Sequence, residues 1–161
     1  MTKEKLNWKP KRNITGVACW NVTSWKGKVQ DIIISETEKH SMDICGISKK
    51  KWKGQGTCKH RKHIIIYSGK AKHERTQSGV CILLHEKYAP SIEDREYIND
   101  ILLRTSLKPN HTTIHLISTY APDISKPVED SEKFYRELRT SVDKISNSHK
   151  IAVFMAISML E

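Results

Sequence analysis

Lys and Arg residues are concentrated in one segment of this sequence, and this segment gives the clearest indication of a chemical role. Between Lys49 and Arg75 there are ten Lys or Arg residues and one acid, Glu74, and they account for most of the net charge of +10. Such a patch attracts polyanions by releasing their condensed counterions, which predicts salt-sensitive binding to the phosphate backbone of DNA or RNA. A solvated loop that merely keeps the protein in solution is the alternative interpretation. The candidate nucleic-acid-binding residues are Lys50, Lys51, Lys53, Arg61, Lys62, Lys70, Lys72 and Arg75.

Two polar residues outside this window lie close to the ends of predicted strands. Asn21 follows an apolar run, and Tyr120 stands before Ala121-Pro122. Both have ordinary explanations, because Asn is a common turn or cap residue and Tyr is often a half-buried aromatic with a hydrated hydroxyl. Residue type alone therefore does not distinguish a structural role from a catalytic one.

Cysteine and histidine side chains offer a weaker metal hypothesis. Cys45, Cys58, His60 and His63 are near one another in sequence, but Cys45 lies within an apolar run. A zinc knuckle needs two closely spaced cysteines to orient its thiolates, and no such pair occurs here. The sequence therefore predicts no metal site from these residues, and four cysteines in 161 residues do not form a dense disulfide framework.

Hydrophobic periodicity places these residues on an α/β (α+β) framework. A strand over 14–20, a helix over 27–40 and a strand beginning at 42 form a βαβ unit, whose strands we expect to be parallel neighbours. The basic window is interpreted as a loop leaving the second strand. Further elements are a strand over 63–68, a strand over 79–84, a hairpin over 98–119, a helix over 131–146 and a strand over 151–157.

These elements predict a mixed sheet of about seven strands with two helices. Runs such as 64–66 and 81–84 are apolar without alternation, which indicates burial on both faces. Two helices cover one face, so we expect a partner sheet, from this chain or another, on the second. Residues 1–12 are predicted to be a flexible basic arm. No apolar run approaches a membrane span and the amino terminus is not a secretory signal, so the chain is expected in the nucleus or cytoplasm.

Seven short motifs occur in a fixed order along the chain. They are Cys19-Trp20-Asn21-Val22, Asp43-Ile44-Cys45-Gly46-Ile47-Ser48, Trp52-Lys53-Gly54, Tyr67-Ser68-Gly69, Lys72-His73-Glu74-Arg75, Ser118-Thr119-Tyr120-Ala121-Pro122 and Glu132-Lys133-Phe134-Tyr135. In order and spacing the sequence resembles the endonuclease domain of LINE-type (non-LTR) retrotransposons. This group is often labelled craniofacial development protein 2-like and falls within the endonuclease/exonuclease/phosphatase superfamily.

The resemblance implies the amino-terminal part of a four-layer αββα sandwich with the DNase I-like fold. Residues 13–161 would then be a truncated domain that lacks the carboxyl-terminal sheet. Family members nick DNA with Mg²⁺, which neutralises phosphate charge and helps to activate water.

The resemblance also identifies the site positions, most of which depart from the family pattern. Asn21 and Tyr120 match the residues that contact the metal and the phosphate. Lys49 stands where the family has a metal-binding Glu, Ile157 where it has the Asp base, and Met159 where it has a phosphate-positioning Asn. Lys cannot replace a hard oxygen ligand, and Ile cannot accept a proton.

The sequence therefore predicts a degenerate endonuclease-like domain, a pseudoenzyme without Mg²⁺-dependent cleavage or any cofactor, which retains nonspecific nucleic-acid binding. Two alternatives remain open. One is an active metal-dependent endonuclease with a rearranged site, and the other is a non-functional retroelement fragment whose exposed sheet face pairs with another chain.

Overall fold

A computed structural model describes residues 16–22, 27–49, 53–71, 73–74, 78–122, 125–145 and 150–158, with the backbone alone for Lys49 and for 150–158. The predicted arm at residues 1–12 lies outside these ranges. Among the described residues there are nine strands, two α-helices and one 3₁₀-helix. Their bounds are β1 Val17–Val22, α1 Lys28–Lys39, β2 Ile44–Lys49, β3 Gln55–His60, β4 His63–Gly69, β5 Gly79–His85, the 3₁₀-helix Glu86–Ser91, β6 Ile92–Asn99, β7 Leu102–Leu107, β8 Thr113–Ala121, α2 Val128–Asp143 and β9 Lys150–Ser158.

The first sheet has five strands in the order β1-β2-β5-β4-β3. β1 and β2 are parallel and joined through α1, so the predicted βαβ unit is confirmed, while the remaining pairs are antiparallel. Ile33 and Ile34 of α1 are buried in a cluster with Cys45, Ile47 and other side chains from one face of this sheet. The 3.6-residue spacing of apolar residues in α1 thus produces the layer that covers the outer face of the first sheet.

The second sheet has four strands in the order β6-β7-β8-β9. β8 and β9 are parallel and connected through α2, which repeats the strand–helix–strand arrangement of the first sheet. A second apolar cluster joins the two sheets face to face, since it combines β2, β4 and β5 residues with Leu103, Leu107 and Leu116. The Ser118 hydroxyl also donates to the Cys81 carbonyl at 3.2 Å, between β8 and β5.

The predicted fold class is confirmed, but the expected single sheet of about seven strands is wrong. The chain forms two facing sheets, so the partner sheet for the apolar face lies in this chain. The expectation that the second sheet is missing is corrected by β6 to β9. Two strands escaped prediction because β3 lies within the basic window and β6 carries Glu93, Asp94, Arg95 and Glu96.

A charged network lies on the face of the second sheet that is turned away from the first. Arg104 in β7 has a side chain that is only 9% exposed. Its guanidinium donates to Asp94 at 3.1 Å, to Glu96 at 2.7 and 2.9 Å and to His115 Nδ1 at 3.1 Å. Lys144, at the end of α2, donates to the other oxygen of Glu96 at 2.7 Å. The network therefore links three strands to α2.

Neither described helix is long and apolar enough to cross a membrane.

Candidate functional site

One edge of the sandwich gathers the positions that the motifs single out, and we call it the site edge. In the first sheet β1 and β2 end there, at Val22 and Lys49, and in the second sheet β8 and β9 end at Ala121 and Ser158. Ser68, near the end of β4, donates to the Asn99 carbonyl in the β6–β7 turn at 2.6 Å. This bond joins the same edge of both sheets. The carboxyl ends of strands in α/β sheets are where ligands usually bind.

Asn21 lies near the end of β1 and faces the space between the sheets. Ala18, Trp20 and Val22 pack on the α1 side of the first sheet, so the alternate residue Asn21 points to the other side. Its register partner is the buried Ser48, whose hydroxyl donates to Asn21 Oδ1 at 3.4 Å. The amide nitrogen of the side chain is directed by this contact and can donate to a ligand at the edge.

Tyr120 reaches the same edge from the second sheet. It packs against the apolar cluster between the sheets, and its backbone amide donates to the Ile101 carbonyl at 3.0 Å. Its neighbour across the parallel ladder is Ile157. The structure therefore brings Asn21 and Tyr120 to one edge, one from each sheet, and their catalytic roles stay predictions.

The altered family positions lie beside these two residues. Lys49 ends β2 opposite Val22 of β1, and Ile157 pairs with Tyr120 near the end of β9. Met159 lies outside the described residues. Positions 49 and 157 thus lie at the site edge, and the roles that the resemblance implies for them stay predictions.

The β6–β7 turn is part of the site edge that sequence reasoning missed. The Ser78 hydroxyl, just before β5, donates to the Asp100 carboxylate, and the Asn99 side-chain amide donates to the carboxylate of Glu137 in α2. Asn99 Oδ1 also accepts from the Ile101 amide at 2.9 Å. The Asn99-Asp100 dipeptide at the end of β6 is a turn signal that could have identified this segment.

The described side chains of the site edge do not fit a carboxylate-held divalent ion. Mg²⁺ prefers carboxylate, water and phosphate oxygens. Asp100 supplies a carboxylate, but no group of three His, Cys, Asp or Glu residues is placed to hold a metal within the described ranges. No catalytic step can therefore be derived through a metal from these side chains.

Two of the predicted phosphate-binding cations lie at the site edge. Lys53 and Lys70 form a short parallel backbone bridge next to the start of β3 and the end of β4. The amide of Gly54, a residue with φ of 77°, donates to the Lys70 carbonyl at 2.7 Å, and the Gly69 amide donates to the Gly54 carbonyl at 2.9 Å. The exposed Lys53 side chain and the half-buried Lys70 side chain therefore start from neighbouring backbone positions, with Glu74 at 3.8 Å from Lys70.

Two other predicted cations lie at the opposite edge, which we call the distal edge. Arg61 and Lys62 form the β3–β4 turn there, and Arg61 pairs with Asp31 of α1 at 3.1 Å. Lys59 of β3 pairs with Glu86 at 2.7 Å and is likewise distal. The basic window is thus divided between two edges of the first sheet, which corrects its interpretation as one loop. The remaining predicted residues, Lys50, Lys51, Lys72 and Arg75, lie outside the described residues.

Comparison with known proteins gives sequence relatives of much greater length. No family model matches the chain. It is 30% identical over 125 residues to craniofacial development protein 2 of Tragulus javanicus and 27% identical over 123 residues to that of Bos taurus. Each match covers 76% of this chain but only 21% and 20% of the relative. The chain therefore spans about a fifth of the length of the curated relatives it matches.

Solved structures with a similar fold include nucleases and phosphatases. The endonuclease domain of TRAS1, a telomere-specific non-LTR retrotransposon, has a TM-score of 0.56 at 13% identity, over 86% of this chain and 57% of that one. The 3′ phosphatase NExo from Neisseria, bound to a product DNA hairpin, has a TM-score of 0.57 at 14% identity, over 87% and 56%. An endonuclease/exonuclease/phosphatase family protein from Leptotrichia buccalis has a TM-score of 0.51 at 12% identity, over 83% and 64%.

These likenesses confirm the predicted fold class and the family resemblance of the motifs. They also correct one expectation, that the domain uses no cofactor. The structural neighbours are nucleases and phosphatases of a kind that is normally metal-dependent. This relationship overturns the prediction that the domain has no cofactor.

Proposed function

Because the chain is related to the endonuclease/exonuclease/phosphatase superfamily, we propose that this nuclease-related domain binds the phosphate backbone of nucleic acids along its site edge. One observation carries the proposal: the Lys53–Lys70 backbone bridge lies at the same edge as Asn21 and Tyr120. Ammonium groups position a phosphate backbone without reading its sequence. Side-chain amide and hydroxyl groups add neutral donors to phosphate oxygens.

The distal edge is the poorer candidate for this role. Its cations Lys59 and Arg61 already have acidic partners, Glu86 at 2.7 Å and Asp31 at 3.1 Å. A phosphate that approached them would compete with these carboxylates and meet their negative charge. At the site edge, Lys70 also has an acidic neighbour, Glu74, but at the longer distance of 3.8 Å, so a phosphate there would compete with a looser ion pair.

We further propose that phosphodiester cleavage is lost or greatly slowed in this domain. Proton abstraction from water needs a group that can accept the proton, and Ile157 offers none at its position in β9. Lys49 also brings a cationic residue type to the end of β2, where a carboxylate would favour a divalent ion. The metal dependence of the neighbours makes it necessary to test cleavage with several divalent ions.

An active endonuclease with a rearranged site is the second candidate function. Asp100 favours it, because this carboxylate lies in the β6–β7 turn at the site edge and accepts a hydrogen bond from Ser78. A carboxylate in that place can serve as a proton acceptor or as a metal ligand.

Binding is tested by fluorescence anisotropy with labelled single-stranded and duplex DNA between about 50 and 200 mM salt. The double variant Lys53→Glu/Lys70→Glu removes the site-edge cations. The matched control Lys62→Glu/Lys108→Glu makes the same charge change at exposed distal positions. We expect the site-edge variant to weaken binding about tenfold or more and to reduce the salt slope by about 2, since two phosphate contacts are lost. Equal effects of both variants would refute binding at the site edge.

Cleavage is tested by nicking of supercoiled plasmid with Mg²⁺, with Mn²⁺ and with EDTA. We expect wild-type protein to bind DNA in a salt-sensitive manner and to produce no nicks. Metal-dependent nicking that both Asn21→Ala and Asp100→Asn abolish would establish the rearranged endonuclease instead. Protein that neither binds nor cleaves would behave as a non-functional retroelement fragment.

A further inference from the structure

Three histidines form a row across the distal edge of the first sheet. His60 ends β3, His63 begins β4 and His85 ends β5. The strand register pairs His60 with His63 and His63 with His85, so all three side chains point to the same face. The rings of His63 and His85 meet edge to face, with centroids 5.5 Å apart and planes inclined by 74°.

The acidic side of α1 lies against this row. The His60 ring nitrogen Nε2 donates to Asp31 at 3.3 Å, and Glu38, two turns further along the helix, lies 3.9 Å from His63 Nδ1. The Glu86 carboxylate of the 3₁₀-helix also acts electrostatically on His63. The contacts between α1 and the β3–β4 hairpin at this edge therefore join histidine rings and the Arg61 guanidinium to carboxylates of α1.

His63 is the member of the row that water does not reach. Its side chain is 2% exposed, and its Nδ1 has no hydrogen-bond partner among the described residues. Burial lowers the pKa of His63, and His85 and His60 lower it further, whereas Glu38 and Glu86 raise it. The neutral imidazole is thus the form that suits this position.

We propose that the histidine row is a proton-sensitive latch, which holds the β3–β4 hairpin against α1 when His63 is neutral and releases it when His63 takes up a proton. A charged His63 ring would lie beside His60 and His85, and the carboxylate paired with it, Glu38, is 3.9 Å from Nδ1. The direction of the pH effect follows from linkage, because protonation of His63 favours the open state. Protection of the hairpin from amide hydrogen exchange is therefore complete above the pKa of an unfolded histidine. It is lost as the pH falls below about 6.5 towards the lower folded pKa.

The test is amide hydrogen exchange of the full chain between about pH 7.5 and 5.5, with protection factors corrected for intrinsic rates. In wild-type protein we expect protection of β3 and of the amino-terminal half of β4 to fall with pH, while β7 and β8 keep theirs. His63→Phe keeps a buried ring without a titrating group, so we expect the pH response of the hairpin to disappear. The control His111→Phe changes an exposed loop histidine and should leave the response intact.

A second measurement keeps the proposal testable even where His63→Phe folds poorly. The Cε1–H resonance of His63 in wild-type protein should titrate at lower pH than a histidine in an unstructured peptide. Titration at or above the peptide value overturns the latch, and so does a pH response that His63→Phe retains. The latch does not depend on the proposed nucleic-acid binding, because neither measurement includes DNA or RNA.

Discussion

Replacement of Arg104 by Met is the perturbation with the largest expected effect on stability. The Arg104 side chain is 9% exposed, and it is bonded to Asp94, Glu96 and His115. Removal of one member of a buried ion pair costs about 3–5 kcal/mol, because the remaining charge is left without a partner. Met keeps much of the aliphatic volume, so the change measures mainly the loss of the charged contacts.

The exposure of the acidic partners sets the magnitude within this range. Asp94 is 58% exposed, so its pair with Arg104 contributes at most about 1 kcal/mol. Glu96 is 25% exposed and keeps the contact with Lys144 at 2.7 Å, which reduces the penalty of leaving it. We therefore expect Arg104→Met to lower the free energy of unfolding by about 3 kcal/mol, the lower end of the buried range.

The assay is urea unfolding followed by circular dichroism and tryptophan fluorescence, with Lys144→Met as the matched control. Lys144 is 54% exposed, so its loss should cost no more than about 1 kcal/mol. A loss below about 1 kcal/mol for Arg104→Met, or one equal to that of Lys144→Met, would refute the reasoning. It would mean that the desolvation of Arg104 already cancels the gain from its contacts.

The contacts of Glu96 with Arg104 and Lys144 also make the stability of the protein depend on pH. Burial raises the pKa of Glu96, but hydrogen bonds from Lys144 and Arg104 outweigh it, and the folded pKa lies below the ordinary value. The stability that this carboxylate contributes is present above the unfolded pKa of about 4.3 and is lost as the pH falls through the folded pKa. We expect Arg104→Met to flatten this loss in unfolding measured at successive acidic pH values.

Three further predictions concern the sheets. A methyl group at Gly56 would lie 2.9 Å from the Tyr67 hydroxyl, so Gly56→Ala should cost about 1 kcal/mol in urea unfolding and less in a Tyr67→Leu background. Ser118→Ala removes the hydrogen bond from the Ser118 hydroxyl to the Cys81 carbonyl, one of those between the sheets, and should cost about 1 kcal/mol by the same assay; an unchanged midpoint would contradict its role. Burial and then Cys19 raise the pKa of Cys45 to about 12, so iodoacetamide at about pH 8 should modify the exposed Cys58 and spare Cys45, as peptide mass spectrometry would report.

The sequence predicted elements whose side-chain pattern is strong and missed those whose pattern is interrupted. The helix over 27–40 and the parallel pair β1–β2 are confirmed because apolar spacing and chain order leave little choice. The sequence predicts a loop in place of β3 because the residues of this strand are polar on both faces, which is typical of an edge strand. β6 was missed because two irregularities of its register, between Ile92 and Asp94 and between Tyr97 and Asn99, break the alternation.

The sequence predicts which positions of the candidate site lie near strand ends, but not which other segments lie beside them. Motif order placed Asn21, Lys49, Tyr120 and Ile157 at strand ends, and the structure has them at one edge. The β6–β7 turn could not be assigned to that edge, because its contacts with Ser68 and Ser78 join residues far apart in the chain. The basic window is divided between the site edge and the distal edge by the β3–β4 hairpin. No local sequence pattern predicts this hairpin.

The two parallel strand pairs also bear on the order in which the domain folds. The antiparallel neighbours β3–β4, β4–β5, β6–β7 and β7–β8 are consecutive in the chain, whereas β1–β2 and β8–β9 close across a helix and β2–β5 closes across the β3–β4 hairpin. Contacts between distant residues pay more loop-closure entropy and form more slowly. We therefore expect the hairpins to form early and both parallel pairs late. Since Asn21 and Tyr120 each belong to a parallel pair, we expect the site edge to be completed after the hairpins have formed.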